Sequence, residues 1–407
     1  MGQTITEIAQ SLKDANKKVQ LIYAFNGTGK TRLSREFKEL IAPKNPKTEE
    51  EEESGIKIMY YNAFTEDLFY WDNDLDYDVD RKLKIQPNGY TDWVLLEQGQ
   101  ETNITTHFQR YTNDKLTPKF NEQYTIKDEE NDKDIIVPAY SEVRFSFERG
   151  DDSGSDFVKI SKGEESCFIW SVFYSLLEQT INVLNVAEED DRETDQFNHL
   201  QYVFIDDPVS SLDDTHLIEL AVNIAELIKS SQSDLKFVIT THNPLFYNIL
   251  FNEFNNSDSR YSYKPKYCIK KRLEKLEDGT FDIHIQSKDS PFSYHLFLLE
   301  ELEKVRISGN IQKYHFNFLR NILEKTSTFL GYYEWKKLLP EDANGAREGY
   351  YKRILDLSSH SKFSGEETSA LTTQEKDVFK HLVKEIKKLY KFKLNNDQEI
   401  TEENVTV

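Results

Sequence analysis

The segment AFNGTGKT, residues 24–31, sets small and flexible residues before a cation and a hydroxyl, a spacing suited to holding phosphate. It follows the apolar run VQLIY, residues 19–23, so the expected unit is strand, loop, helix. Gly27 and Gly29 permit a tight turn and a close approach of backbone to phosphate. Backbone N–H groups from Asn26, Gly27, Thr28 and Gly29, with the start of the next helix, cradle the anion in this reading. Lys30 is placed to reach β- and γ-phosphates, and Thr31 to ligate Mg²⁺. Such loops usually open on glycine; the small Ala24 stands there instead. The bland reading is a glycine-rich turn before an ordinary helix. Against it stands YVFIDD, residues 202–207, an apolar strand ending in two carboxylates. Asp206 is expected to hold Mg²⁺, directly or through water, and Asp207 to polarise an attacking water. Asp207 is one methylene shorter than glutamate, so slow turnover is expected.

Four further segments fit one type of ATPase. SSLD, residues 210–213, follows the acids at once, and Asp213 joins the expected nucleotide contacts. VITTH, residues 238–242, puts His242 at the end of a buried strand, facing a γ-phosphate or the attacking water; a capping or core histidine is the plain alternative. ISKGEES, residues 160–166, precedes a helix. Ser161, Gly163 and Glu164 there form either an anion site or a capping box, and the two roles are compatible. Asn62, after a strand at 56–61, is expected to sense water or metal, with a structural role as the alternative. Together these segments resemble the ATP-binding-cassette ATPases, and within them the soluble heads of the SMC/Rad50 kind. The resemblance implies a homodimer in which two heads sandwich two nucleotides, with Ser161 and Gly163 facing the nucleotide held by Lys30 of a second copy. The chain departs from the family signature at Lys162, where its first glycine would stand, and at Glu164, where its glutamine would. No room exists for a long coiled coil, since only about 130 residues separate Thr31 from Ser161.

A different chemistry is available near the C-terminus. Arg320 and Glu324 lie four apart on an expected helix and share a face; as spacing alone, that is a surface ion pair. His360 follows another expected helix, in the polar run SSHS. Histidine, glutamate and arginine suffice for metal-independent RNA cleavage. A base takes the 2′-OH proton, the oxygen attacks phosphorus, an acid protonates the leaving 5′-oxygen, and arginine neutralises the phosphoryl oxygens. His295, His315 and His381 are alternatives to His360. His315 is expected to be structural, His295 to pack or stack, and His381 to be solvated or packed.

LIYAFNGTGKTRLSREF, YYNAFTEDLFYWDNDL, SKGEES, YVFIDDPVSSLDD and YHFNFLRNILEKTSTFLGY run over nearly the whole chain. On these segments the chain resembles the PrrC-type bacterial anticodon nucleases. The resemblance places that family's catalytic Arg, Glu and His on Arg320, Glu324 and His360. It implies cleavage in the anticodon loop of lysine tRNA, leaving a 2′,3′-cyclic phosphate and a 5′-OH. It also implies ATP or GTP with Mg²⁺ as cofactors, GTP hydrolysis on activation, dTTP stabilising the active form, and masking by a type Ic restriction–modification enzyme until phage interference. Asp289, near the family's anticodon-recognition region, is expected to touch the wobble base.

The elements that must position these residues are an α/β, ABC-ATPase-like P-loop NTPase head without long coiled coil, residues 1–287, and a mainly α-helical nuclease domain, residues 288–407. Residues 1–18 read as polar and peripheral, 49–53 as a solvated acidic run, and 62–81 as an aromatic, acidic stretch leading to a loop. Helical spacing is expected at 105–114, 165–187, 216–230 and through most of 292–390; 261–269 and 281–285 read as a hairpin. The 407 residues carry a formal charge of −21, of which residues 261–407 contribute about +2. Nucleic-acid contact is therefore expected only in the C-terminal part. Cys167 and Cys268 are far apart and sit in no metal or redox motif, and no run approaches eighteen consecutive apolar residues. A cytoplasmic protein free of the membrane is expected, dimeric at least, with a tetramer as two paired dimers. The competing readings are a DNA-linked ATPase of the SMC/Rad50 kind, whose hydrolysis DNA would accelerate, and a nucleotide-switched protein-binding module, which would cut nothing.

Overall fold

Continuous apolar runs such as Tyr202–Ile205 and Phe237–Ile239 form strands that are buried throughout, as a sheet covered on both faces requires. The computed structural model describes residues 2–43, 55–73, 80–86, 89–128, 133–147, 157–208, 212, 214–276, 278–287, 294–342, 344–358 and 371–392. The chain divides into two compact units, Met1–Pro291 and Phe292–Val407.

The central sheet of the first unit has the strand order Phe281–Ile285, Cys268–Lys275, Val19–Ala24, Lys236–Thr241, Tyr202–Asp206, Ile58–Tyr61. All neighbours are parallel except the edge pair Phe281–Ile285 and Cys268–Lys275. Parallel pairing puts the C-terminal ends of five strands on one edge, where ligands bind in open α/β sheets. The strand Lys236–Thr241 lies between the strand that feeds the phosphate loop and the strand that ends in the paired acids. Thr240 is in register with Ile22 on one side and Asp206 on the other.

Helices cover both faces. The helices Ile5–Asp14 and Lys30–Ile41 pack over Ile22, Ala24, Phe204 and Val238. On the other face Tyr23 meets Tyr247 of the helix Pro244–Asn255 edge-on, with centroids 5.8 Å apart. Tyr61 meets Trp170 of the helix Lys162–Asn185 at 5.1 Å. That last helix is long and apolar enough to cross a membrane, but 83% of its most apolar stretch is buried, so its apolarity serves the core. Residues 1–18 are not peripheral. Ile5, Ile8, Ala9 and Leu12 fall on one face of a helix capped reciprocally by Thr4 and Glu7, and all four are buried.

The stretch 62–81 and the residues around it also differ from expectation. Strands Phe69–Asp72, Lys82–Ile85, Glu142–Phe147 and Leu116–Phe120 form an antiparallel sheet in that order, with Phe157–Val158 beside Glu142–Phe147. Phe168 of the Lys162–Asn185 helix plugs this sheet, 5.2 Å from Phe145, 5.8 Å from Phe108 and 6.0 Å from Phe120. The helix expected at 105–114 lies at Glu101–Arg110.

In the second unit the described residues form the helices Tyr294–Ser308, Lys313–Phe329, Glu348–Ser358 and Thr373–Leu389, with a 3-10 turn at Trp335–Leu338. Their apolar faces share one core that includes Leu302, Phe316, Leu319, Leu323, Phe379 and Leu382.

Candidate functional site

The strand Val19–Ala24 delivers the chain into the glycine loop. Gly27 at φ +79° and Gly29 at φ +99° take left-handed conformations that a Cβ would strain. Gly29 caps the helix Lys30–Ile41, so the free N–H groups of its first turn face the loop. The Lys30 ammonium is folded back: its Nζ lies 3.4 Å from the Ala24 and Phe25 carbonyl oxygens, 3.3 Å from Asn26 Oδ1 and 2.9 Å from Asp207 Oδ2. A phosphate would compete with these oxygens for the same cation.

Asp206 and Asp207 end their strand in different settings. Asp206 is buried; its Oδ2 accepts a hydrogen bond from Thr31 Oγ1 at 2.8 Å, and its Oδ1 accepts from the Thr240 hydroxyl. Burial raises its pKa, against the lowering effect of the Thr240 and Thr31 hydroxyls. Thr31 and Asp206 thus bring a hydroxyl and a charge-disfavoured carboxylate together, a donor set that fits Mg²⁺. Asp207 turns away at φ +48°, with its N–H bonded to the Thr240 carbonyl oxygen at 2.9 Å. Asp207 Oδ1 accepts from the His242 backbone N–H at 2.8 Å and lies 2.8 Å from His242 Nδ1. Burial pushes the Asp207 carboxyl up, but His242 and Lys30 outweigh it and hold it below the usual carboxylate range.

These groups line a cavity of about 490 Å³ formed by Asn26, Gly27, Gly29, Lys30, Thr31, Glu66, Asp206, Asp207 and His242, a size typical of small-ligand sites. A larger cavity of about 880 Å³ sits at the opposite ends of the strands, near Gln201 and Lys236, and contains none of them. Glu66 is the lining residue that sequence reasoning missed. It ends the short helix Ala63–Glu66, accepts a hydrogen bond from the Tyr61 hydroxyl at 2.9 Å, and has its pKa raised by burial. Its signal was an acid four residues beyond Asn62, but nothing local shows that a single helical turn swings it into the site.

Asn62 does not line this cavity. It is buried, donates to Ser34 Oγ at 2.9 Å, and accepts from the Thr65 N–H at 3.3 Å. Ser34, on the loop helix, in turn donates to the Thr31 carbonyl oxygen at 2.8 Å, so Asn62 stands one residue behind Thr31. These bonds hold the turn after its strand, the structural role given above as the alternative to sensing water or metal. Ser161 caps the Lys162–Asn185 helix. Its Oγ accepts from the Glu164 N–H at 3.3 Å, and Glu164 Oε2 accepts from the Ser161 N–H at 2.7 Å. Ser161, Gly163 and Glu164 do not line the cavity of their own chain. Asp213 lies outside the described residues.

In the second unit Arg320 Nε donates to Glu324 Oε1 at 2.7 Å, and both side chains are partly open to solvent. The pair contributes at most about 0.5 kcal/mol, so an anion can draw the guanidinium away at small cost. His315 is buried and its Nδ1 accepts from the Gln312 N–H at 2.8 Å, a capping role. His381 is exposed and lies over Tyr350 at 5.9 Å. His360 and Asp289 lie outside the described residues.

A family model described as an AAA domain matches residues 143–391. An Escherichia coli protein described as an anticodon nuclease is 51% identical over 414 residues, covering 95% of this chain and 97% of that protein. Among solved structures, an SMC head domain bound to the C-winged helix domain of ScpA overlaps 67% of this chain and 90% of its own, at 12% identity and TM-score 0.31. The SMC head domain from Thermotoga maritima overlaps 67% and 91%, at 10% identity and TM-score 0.27. Overlaps this loose carry no weight for the fold.

Proposed function

The chain belongs to the anticodon nuclease family, and we propose that it is an NTP-regulated endoribonuclease that cuts the anticodon loop of lysine tRNA. A P-loop NTPase module is followed in it by an α-helical region. The observation that carries the proposal is a relationship spanning 95% of the chain, nucleotide loop and helical region alike.

For the nuclease step, a base removes the 2′-OH proton and the oxygen forms a bond to the adjacent phosphorus. The bond from phosphorus to the 5′-oxygen breaks as that oxygen is protonated, leaving a 2′,3′-cyclic phosphate and a 5′-OH. In this proposal Arg320 leaves Glu324 to neutralise the phosphoryl oxygens. Glu324, freed of its partner, and His360 divide the two proton transfers between them. Asp289 touches the wobble base. DNA, lacking the 2′-OH, is not a substrate.

For the regulatory step, Asn26 to Thr31 hold the phosphates of ATP or GTP. Thr31 and Asp206 hold Mg²⁺, which supplies charge neutralisation at the β- and γ-phosphates. Asp207, His242 and Glu66 surround the place of an attacking water, and the raised pKa of Glu66 suits it to accept a proton. Two heads would close as in the ABC and SMC ATPases, with Ser161, Gly163, Glu164 and Asp213 completing the nucleotide site of a second copy. Cytoplasmic location, stabilisation by dTTP and masking by a type Ic restriction–modification enzyme belong to the same proposal. Replacing His360 by Ala tests it: tRNA cutting should be lost, while nucleotide binding and the melting temperature stay as in the wild type. Unchanged cutting by His360→Ala would refute the assignment.

A further inference from the structure

We infer that Phe329, Tyr332 and Tyr333, at the end of the helix that carries the Arg320–Glu324 pair, form a stacking platform for unpaired RNA bases, an inference that rests on the nuclease reading above. Phe329 is 90% exposed and Tyr333 96%, with Tyr332 at 46%. Rings of this size normally go to cores or interfaces, so three open ones in succession point to an occupant.

The backbone that carries Tyr332 and Tyr333 is held from both ends. The helix Lys313–Phe329 stops at Leu330, and Gly331 takes the left-handed conformation at φ +75°. The Gly331 N–H bonds to the Thr328 carbonyl oxygen at 3.2 Å, and the Tyr332 N–H to that of Ser327 at 2.8 Å. This reciprocal pair is the Schellman closure, which fixes the direction in which the chain leaves a helix. Four residues after Gly331 the chain is anchored again, where buried Trp335 packs on Tyr351 with centroids 4.7 Å apart. The backbone beneath the tyrosines is thus set before any ligand arrives, which lowers the ordering cost of binding.

Charge selects the occupant. Lys325 lies one turn before Phe329 and shares its helix face. Lys337 follows the tyrosines; both lysines are exposed and carry no ion pair among the described residues. The cores of protein–protein interfaces are depleted in lysine. Aromatic faces interleaved with free cations match a single strand, whose bases stack while its phosphates take the charges. Phe329 is five residues beyond Glu324, about 7.5 Å along the helix axis and about 140° round it, so a base stacked there belongs to a nucleotide outside the cut site. Stacking tolerates every base, so the platform holds an opened loop and leaves its sequence to be read elsewhere.

Full-length F329A/Y333A tests this. With lysine tRNA, KM should rise about five- to a hundredfold, with kcat within about twofold of wild type. F329Y/Y333F, which keeps both π-faces, should restore KM. Fluorescence anisotropy should show the same loss of affinity for a labelled single-stranded oligoadenylate and none for duplex RNA of equal length, and NTP hydrolysis should not change. Unaltered KM and oligoadenylate affinity would overturn the platform. So would a fall in molar mass by light scattering with RNA affinity intact, since the patch would then join two copies of the chain. Wild-type protein that binds oligoadenylate through these rings yet leaves tRNA uncut would sink the nuclease reading alone; protein that neither binds nor cuts would sink both.

Discussion

Asp206 and Asp207 are neighbours with opposite electrostatic settings, and this separates their roles experimentally. Burial raises the pKa of Asp206, so its ionised form costs stability at neutral pH while no cation is bound. Asp206→Asn should therefore raise the melting temperature of the nucleotide-free protein by roughly 2 °C while removing NTP hydrolysis. Asp207 is held below the usual range by His242 and Lys30. Its stabilisation is present above the unfolded-state pKa and is lost as pH falls through the lower folded value. Asp207→Asn should lower the melting temperature at pH 7, and the gap to wild type should close in strongly acidic buffer. Asparagine tolerates the left-handed backbone at this position, so strain does not confuse the comparison. Thermal melts of both variants check the pair, and equal shifts would contradict the assignment. Glu66 makes a third case. With its pKa raised, a proton-accepting Glu66 loses activity as pH falls through that raised value, and Glu66→Gln should remove this acid limb from the pH–rate profile of hydrolysis. A profile unchanged in shape would leave Glu66 a structural partner of Tyr61.

At the scale of elements, one helix start combines an observed role with a proposed one in the same residue. Ser161 and Glu164 make a capping box, which alone justifies their presence. Ser161→Ala should cost about 1 kcal/mol of stability. Ser161→Asp keeps a good cap but places a carboxylate where a second copy's nucleotide would sit. It should keep the melting temperature and lose nucleotide-dependent dimerisation, measured by light scattering with and without GTP; dimerisation equal to wild type would remove Ser161 from the nucleotide contact. The same comparison shows why some elements were legible from sequence and others not. AFNGTGKT and YVFIDD are contiguous, and their chemistry is written in adjacent residues. The helix Ile5–Asp14 was obscured by its polar composition, although Ile5, Ile8 and Leu12 already fall on one face. In the second sheet the strand Lys82–Ile85 was obscured by Lys82 and Lys84, whose charges are met by Asp80 and Asp72 and by the fully buried Glu142 from another strand. Glu66 was not legible because one short helical turn, invisible in the local sequence, brings it to the cavity while Asn62 stays behind.

For the whole molecule, the account joins an acidic nucleotide-binding unit to a helical unit of nearly neutral charge. A formal charge of −21 disfavours indiscriminate RNA binding, so the proposed RNA contact falls to the nearly neutral helical unit, which carries Arg320, Lys325, Lys337 and the open aromatic rings. The nucleotide cavity and the Arg320–Glu324 pair lie in different units, and nucleotide state is the proposed link between them. The most direct measurement of the central claim is to incubate the full-length protein with total tRNA, GTP and Mg²⁺ and to map the new ends. The account predicts one cut in the anticodon loop of lysine tRNA, with a 2′,3′-cyclic phosphate and a 5′-OH. The cut should vanish with Glu324→Gln and with a single 2′-deoxy substitution at the cut site. Products bearing a 5′-phosphate, or cutting that survives the 2′-deoxy substitution, would contradict it.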